Sequence, residues 1–411
     1  MPFSGIAQTD TELQQRIDQT KRERDALLLE QRKLQTALDE LNKEGQTLTG
    51  TVKSLDAARS KLATDLKITQ TGINASNLQI QKLEGDINKN KTEIENHREA
   101  IRESLKRLKT YDSYSMVYAL LSYNTLDDVW HDTADLTDLQ DKITEEISEL
   151  EESQQDLIRN RSEKELKQLE LISLSRELKG QKQVADETRT AQAKLLAETK
   201  NKEALYQQML AENIAREKEF EKLLFQFESQ IKAADVTAIP IARKGVLSWP
   251  LDSVIVTQQF GLTSSSGRLY SSGTHNGIDF RASVGTPVKS VRGGVVEAMG
   301  NTDDQRGCYS YGRWVLIRHD NGLSSLYAHL SASIITQGQV VTAGQIIGYS
   351  GGQPRAYGSG YSTGPHLHLG LFVTVGVQVS QYTSSINCKN VAIPLANPQD
   401  YLDPLAYLPG F

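Results

Sequence analysis

The stretch His366-Leu367-His368-Leu369-Gly370-Leu371 decides the fold of the C-terminal part of this 411-residue chain. Its leucines recur at every second position, which is the pattern of a β-strand that buries one face. Residues i and i+2 of a strand point to the same side of a sheet. We therefore expect both imidazoles on one exposed face, opposite the leucines, where they are available for chemistry.

Short β-rich runs, separated by glycine-containing turns, surround this stretch. Many short strands with such spacing predict an antiparallel sheet or a barrel-like sandwich. The region from residue 247 to residue 411 is long enough to bury one hydrophobic core. We predict a small all-β domain there, with expected strands at Val254–Gln258, Pro287–Val291, Val295–Ala298, Trp314–Arg318, Ser324–Tyr327, Gln339–Val341, Ile346–Tyr349 and Leu367–Val373.

A seven-residue repeat runs without interruption from residue 27 to residue 108. Isoleucine at position a and leucine at position d favour a two-stranded coiled coil. A second helical stretch runs from Leu136 to Ile231, so we predict a long antiparallel coiled-coil hairpin, with a parallel dimer as the alternative. The d seam turns polar after Leu62, and we interpret His97 in it as a residue that sets the register. The a seam comprises Leu38, Gly45, Val52, Arg59, Leu66, Ile73, Ile80, Ile87, Ile94, Ile101 and Leu108.

The predicted organisation has four parts: a tail at 1–12, a coiled-coil hairpin at 13–235, a linker at 236–246 and the β domain at 247–411. The first eight residues are interpreted either as the remnant of an export signal or as a disordered tail. An amphipathic tip at about 111–131 contains several tyrosines and a tryptophan. This tip either closes the hairpin on itself or docks a membrane-bound partner, since apolar patches mark interaction surfaces.

Composition excludes some classes of function. The formal net charge of −6 provides no basic surface, which argues against a nucleic-acid partner. No stretch approaches the ~18 consecutive apolar residues of a membrane-spanning helix. Cys308 and Cys388 lie in the β region and are expected to form either a disulfide of an exported domain or two buried thiols.

Histidines are concentrated near the C-terminus, where five of the seven lie. His275 and Asp279 flank Gly277, which predicts a turn. An imidazole, a carboxylate and one of the strand histidines together make the three-ligand set of a catalytic zinc, which leaves a fourth position for water. Each spacing alone is only moderately specific, but their joint occurrence with an isolated His329 favours a metal site.

Five motifs carry a family resemblance over about residues 247–408. They resemble the lysostaphin/LytM-type zinc endopeptidases of bacterial cell walls. The resemblance implies a compact antiparallel β domain that holds one zinc ion in a groove, and an exported protein of the bacterial cell envelope that cleaves peptide stems or crosslinks of peptidoglycan. The motifs are Thr274-His275-Asn276-Gly277-Ile278-Asp279, Gly285-Thr286-Pro287-Val288, Leu326-Tyr327-Ala328-His329-Leu330, the segment 338–348 and Thr363-Gly364-Pro365-His366-Leu367-His368.

The same resemblance assigns roles to individual residues. It implies that His275, Asp279 and His368 are the zinc ligands. It implies that His329 and His366 move protons and stabilise the oxyanion. His319 fits a turn between strands, and we interpret it as structural.

The helical part joined to this domain resembles the EnvC-like division-associated proteins. A division complex is accordingly the expected membrane-bound partner of the tip, and the resemblance is compatible with a groove that part of the helical region blocks until a partner withdraws it. It also implies an alternative function, a non-catalytic or dual-role activator of a separate peptidoglycan amidase. Because every ligand is present in this chain, we expect an enzyme. An insertion at 353–362 departs from the family pattern and is expected to be a solvent loop, with a lid or a substrate wall as the alternative.

Overall fold

A computed structural model describes residues 10–41, 47–112, 126–228, 230–231, 241–261, 275–308, 310–383 and 387–410. The chain divides into two compact units. The first comprises Met1–Arg24 and Thr71–Ser175, and the second comprises Asp25–Gln70 and Arg176–Phe411.

The described residues of the helical part contain four helices: α1 (Asp10–Leu41), α2 (Leu48–Asp112), α3 (Leu126–Thr199) and α4 (Glu203–Glu228). The prediction of two uninterrupted helical stretches is wrong at two places. The first repeat is divided between α1 and α2, although the heptad spacing continues across the division. The second stretch is divided where Lys200 and Asn201 adopt positive φ angles of 49° and 57°. Left-handed backbone ends a right-handed helix, and asparagine tolerates this conformation better than most residues.

In the first unit, α2 and α3 pair antiparallel within one chain. Lys164 Nζ lies 2.8 Å from Glu84 Oε1, whereas His97, further along α2, contacts Glu146, which lies earlier on α3. Apolar residues of α2, such as Ile87 and Ile94, are buried. The coiled-coil class of the prediction is thus supported by the long paired helices, while most of the predicted tip lies at 113–125, outside the described residues.

The C-terminal part is an antiparallel β structure, which confirms the predicted fold class. Its main sheet has the strand order β1-β2-β9-β6-β5-β4-β7, with β8 joining β6 to β3, and β10 and β11 form a separate ribbon. The strands are β1 (Val256–Gln258), β2 (Gly277–Arg281), β3 (Pro287–Lys289), β4 (Gly294–Asn301), β5 (Arg313–His319), β6 (Leu323–Ser333), β7 (Val340–Val341), β8 (Ile346–Ser350), β9 (His366–Val373), β10 (Val377–Gln381) and β11 (Ala392–Ala396).

Two sequence expectations about the site strands are wrong. The predicted turn around Gly277 is the start of strand β2, because Ile278 and Phe280 alternate into the core and are fully buried. The histidine face of β9 is also not exposed. His368 is 4% exposed and His366 is half-buried, since other elements cover that face.

The second unit also contains contacts between helices and the sheet. Leu62 of α2 and Val184 of α3 share a buried cluster with Val284 and Tyr349. Near the end of α4, a carboxylate oxygen of Glu228 accepts a hydrogen bond from the Tyr401 hydroxyl over 2.6 Å. These contacts join helices α2, α3 and α4 to the β domain.

Cys308 and Cys388 form a disulfide between residues 80 positions apart. This resolves the two alternatives that the sequence left open. Among the described helices, none combines the length and the apolar character needed to cross a membrane.

Candidate active site

Strands β2 and β9 build the floor of the site. They pair antiparallel, with Asp279 directly opposite His368 and Arg281 opposite His366. Directly paired residues point to the same face of a sheet. His275 lies just before β2, where its backbone forms an isolated bridge with Gly261. The strand register therefore brings one carboxylate and three imidazoles to one place.

Three donor atoms converge at this place. His368 Nδ1 lies 2.9 Å from Asp279 Oδ1, and His275 Nε2 lies 3.2 Å from His368 Nδ1 and 3.3 Å from Asp279 Oδ1. All three residues are buried. Burial alone would raise the pKa of the Asp279 carboxyl, but His275 and His366 beside it hold that pKa well below its usual range. The carboxylate is therefore ionised near neutral pH.

The arrangement fits a zinc ion. Zinc bonds of about 2.0–2.1 Å in tetrahedral geometry place ligand atoms about 3.3 Å apart, close to the separations among these three atoms. The orientation of His275 is fixed by its other ring nitrogen, since Nδ1 lies 3.0 Å from the carbonyl oxygen of Gln259. Such a contact holds Nε2 in position and is usual behind a metal-binding histidine. Two imidazoles and one carboxylate are also the donor set of many catalytic zinc sites.

A pair of imidazoles lies beside the three donors. The ring centroids of His329 and His366 are 4.6 Å apart. The Nδ1 atom of His329 donates to the carbonyl oxygen of Ser359 over 2.8 Å, and that of His366 donates to the carbonyl oxygen of Gly364 over 2.9 Å. Since a neutral imidazole carries one N–H, these bonds leave Nε2 of each ring as the proton acceptor.

His329 is held in an unusual state. Burial, together with the neighbouring His366 and His368, lowers its pKa well below the usual range. Its backbone φ of 58° lies in the left-handed region, which costs about 1–3 kcal/mol for such a residue and is found most often at functional sites. Backbone hydrogen bonds on both sides, to Tyr311 and from Gly351, hold this conformation.

The insertion at 353–362 is part of the site and is not a solvent loop, which corrects the sequence expectation. Ser359 and Ser362 are buried, and Ser359 supplies the carbonyl oxygen that accepts from His329. A residue distant in sequence holds the segment in place: the Asp303 carboxylate accepts hydrogen bonds from the backbone N–H groups of Gly358 and Gly360 over 2.7 and 3.2 Å. The alternative expectation of a lid or a substrate wall stays a prediction.

Sequence reasoning missed a second pair at the site. Asn276 Nδ2 donates to the Tyr311 hydroxyl over 2.9 Å, and the Tyr311 ring lies 5.9 Å from the His368 ring. The only signal for Asn276 was its position next to His275. Tyr311 carried no signal, because the connection from β4 to β5 brings it to the site.

The remaining histidines occupy other places. His319 ends β5, where its Nδ1 lies 3.0 Å from the Gly293 carbonyl oxygen and its Nε2 lies 2.8 Å from Ser325 Oγ. Burial lowers the pKa of His319 to about 4. His97 and His131 lie on α2 and α3, in the first unit.

Comparison with known proteins identifies the class of this domain. Residues 273–380 match the model of peptidase family M23. The matched region contains all five residues of the site described above. The family resemblance inferred from the sequence is confirmed for this region.

Three curated proteins are similar in sequence to part of this chain. The chain is 45% identical over 94 residues to the DD-carboxypeptidase/endopeptidase Mpg of Neisseria gonorrhoeae, which covers 23% of this chain and 19% of that protein. It is 41% identical over 100 residues to the peptidoglycan DD-endopeptidase ShyA of Vibrio cholerae, covering 24% and 20%. It is 40% identical over 98 residues to lysostaphin of Staphylococcus simulans, covering 24% and 18%. The chain thus spans about a fifth of the length of the curated relatives that it matches.

The catalytic domain of lysostaphin from Staphylococcus simulans matches with a TM-score of 0.26 and 28% sequence identity, over 37% of this chain and 90% of that one.

Proposed function

We propose that this protein is a zinc-dependent endopeptidase that hydrolyses peptide bonds of peptidoglycan. The observation that carries the proposal is the convergence of His275 Nε2, Asp279 Oδ1 and His368 Nδ1 beside the imidazoles of His329 and His366. The names of the relatives support the substrate class, since one is a peptidoglycan DD-endopeptidase.

The proposed chemistry divides the five residues into two groups. His275, Asp279 and His368 hold one zinc ion, which supplies Lewis acidity and makes water a stronger acid. His329 and His366 each present Nε2 to the reacting atoms. Because its pKa is lowered, His329 is neutral at pH 7 and can accept the proton of the attacking water. One of the two imidazoles then delivers a proton to the departing amine as the carbon–nitrogen bond breaks.

The proposed location is the bacterial cell envelope. The Cys308–Cys388 disulfide supports it, because disulfides persist in oxidising compartments outside the cytoplasm. We further propose that the tip at about 111–131 docks a membrane-bound division complex. The division of the chain into the parts 1–12, 13–235, 236–246 and 247–411 also stays a prediction.

Regulation by the helical part belongs to the same proposal. Both terminal nitrogens of Arg313 contact the Glu187 carboxylate of α3, at 3.1 and 3.3 Å. The same guanidinium donates to the carbonyl oxygens of Leu330 and Ser331, which directly follow His329. Arg313 thus links helix α3 to strand β6, which carries the proposed catalytic residue His329.

The insertion makes a second contact with the helices. Arg355 lies 4.0 Å from a carboxylate oxygen of Glu198 on α3 and 3.7 Å from one of Glu212 on α4. Leu62 of α2 and Val184 of α3 also pack against Tyr349 of β8, the strand that pairs with β6. We propose that these contacts hold the groove closed until the helices move.

Digestion of purified sacculi tests the function. Zinc-loaded full-length protein is expected to release soluble muropeptides, and a chelator is expected to stop the release. His329→Ala and His368→Ala should each lose activity by at least 100-fold, in line with the loss of one proton-transfer group or one metal ligand. His97→Ala is the matched control, since it replaces a histidine of α2, and it should retain full activity.

Two outcomes separate this function from its alternative. Release that is unaffected by His368→Ala contradicts the enzyme proposal. The second outcome is that neither the wild type nor a variant without the helix contacts (Glu187→Gln with Arg355→Gln) releases muropeptides, yet the protein accelerates a purified peptidoglycan amidase. In that case the protein is an activator and the endopeptidase proposal fails.

A further inference from the structure

A second group of metal-binding side chains lies on the helical part. His97 of α2 faces Glu146 and Glu149, which are three positions apart on α3. His97 Nδ1 lies 2.7 Å from Glu146 Oε2 and 3.5 Å from Glu149 Oε2. The three candidate ligand atoms all lie within 4.8 Å of one another. All three residues belong to the first unit.

The charges of this group are unbalanced. Two carboxylates meet one imidazole, and among the described residues His97 is the only cationic or potentially cationic group within 4.0 Å of either carboxylate. This differs from the neighbouring contact between the same helices, where Glu84 pairs with Lys164. Carboxylates at i and i+3 on a helix repel each other. A divalent cation would neutralise that charge.

The position along the seam supports a structural use of a cation. His97 occupies a d position in the part of α2 where Asn90 and Ser104 replace the leucines of the earlier heptads. Polar d residues weaken a coiled coil because they remove buried apolar surface. A metal bridge between α2 and α3 at this point would restore the lost helix–helix stabilisation. Its side chains are also accessible enough for an ion to enter, since that of His97 is 20% exposed and that of Glu149 is 52% exposed.

We propose that His97, Glu146 and Glu149 form a second divalent-cation site, with zinc as its ion, which ties α2 to α3. One imidazole and two carboxylates are ligands that zinc accepts, and the separations of His97 Nδ1 from the two carboxylates, 2.7 and 3.5 Å, lie on either side of the about 3.3 Å between tetrahedral ligands. On this proposal, His97 binds a metal ion in addition to setting the register. The proposal does not depend on the proposed enzymatic function, because it concerns different residues.

Zinc titration of the full-length chain tests the site. The test uses a background carrying Asp279→Ala and His368→Ala, so that the first metal centre is removed. Calorimetric titration with zinc is expected to show one saturable equivalent in this background. The equivalent should disappear when His97→Ala is added, and also with Glu146→Gln, which removes one charge at constant shape. Glu84→Gln is the matched control and should keep the equivalent, because it breaks an α2–α3 ion pair outside the group.

A stability measurement gives an independent readout. Zinc is expected to raise the thermal midpoint of the helical circular dichroism signal by a few degrees in the background and the control, and to leave it unchanged with His97→Ala. If the background binds no zinc, the group is an ordinary histidine–glutamate ion pair and the proposal fails. Binding that survives both His97→Ala and Glu146→Gln also overturns it.

Discussion

At the scale of single residues, the metal centre depends on a glycine as much as on its ligands. Gly277 lies against the His368 ring, and a Cβ built at this position would lie 2.6 Å from both Cε1 and Nε2 of that ring. No real Cβ approaches other atoms so closely, so the ring would have to move. The β2–β9 register thus holds His368 Nδ1 at the site only because residue 277 has no side chain.

Gly277→Ala is therefore expected to weaken zinc binding by at least tenfold and to destabilise the domain by about 1–3 kcal/mol through overpacking. Zinc affinity by competition with a chromophoric chelator checks the first expectation, and chemical denaturation checks the second. Gly370→Ala, on the paired residue of β9, is the control. Its Cβ would meet only ordinary contacts of 3.4–3.6 Å, so unchanged affinity is expected there and equal loss in both variants would contradict the account.

His319 is expected to make the domain sensitive to acid. Its pKa is about 4 in the fold because the ring is buried, against about 6.5 when unfolded. The unfolded state therefore binds the proton more readily between these values. The stabilisation is complete above pH 6.5 and is lost as pH falls towards 4, with about 2 kcal/mol lost by pH 5. Denaturant unfolding gives the free energy of unfolding at pH 7.5 and at pH 5.0. The drop between these two values should be about 2 kcal/mol smaller in His319→Gln than in the wild type. An equal drop in both proteins would rule out His319 as the cause.

The sequence predicted all five residues of the candidate site but not all of their surroundings. His366 and His368 could be placed on one face because a strand has period two. Asp279 was placed in a turn, since the glycine before it is a turn signal while the alternation of Ile278 and Phe280 covers only three residues. The pairing of this segment with β9, which is not visible in the local sequence, outweighs the turn signal and makes the segment a strand.

At the scale of elements, the disulfide holds two distant segments of the β domain together. Cys308 precedes β5 and Cys388 precedes β11, and both are buried. Replacing both by alanine opens a loop of 80 residues. Removing the cross-link restores conformational entropy to the unfolded chain, which predicts a destabilisation of about 4.5 kcal/mol, and denaturant unfolding measures it. The double variant should respond to a reducing agent no further, whereas the wild type should lose the same stability on reduction.

Two features of the helices and loops could not be predicted from local sequence patterns. The division between α1 and α2 leaves the heptad spacing intact, so apolar periodicity alone could not reveal it, and Gly45 at an a position was the one local sign. The order of the insertion at 353–362 comes from the Asp303 carboxylate, about fifty residues earlier in the chain. Glycine-rich composition predicts a loop correctly but carries no information about such a distant anchor.

At the scale of the molecule, the helices of the second unit are proposed to hold the site closed. The ion pairs of Arg313 with Glu187 and of Arg355 with Glu198 and Glu212 carry this restraint. A double variant, Glu187→Gln with Arg355→Gln, is expected to digest sacculi several-fold faster than the wild type at equal zinc content. Glu152→Gln, which changes the same charge on α3 within the first unit, should have no effect. Equal rates for all three proteins would remove the restraint from the account.

The central claim is that one zinc ion, bound by His275, Asp279 and His368, is required for catalysis of peptide-bond hydrolysis. The most direct measurement titrates zinc into the chelator-treated His97→Ala protein, which lacks the proposed second site, and follows zinc occupancy and cleavage of a purified crosslinked muropeptide in the same samples. The account predicts that cleavage is absent without zinc and rises in proportion to occupancy until one equivalent is bound, with a new amino terminus appearing at the cut bond. Cleavage at full rate without zinc, or no cleavage at full occupancy even after release of the helices, would contradict it.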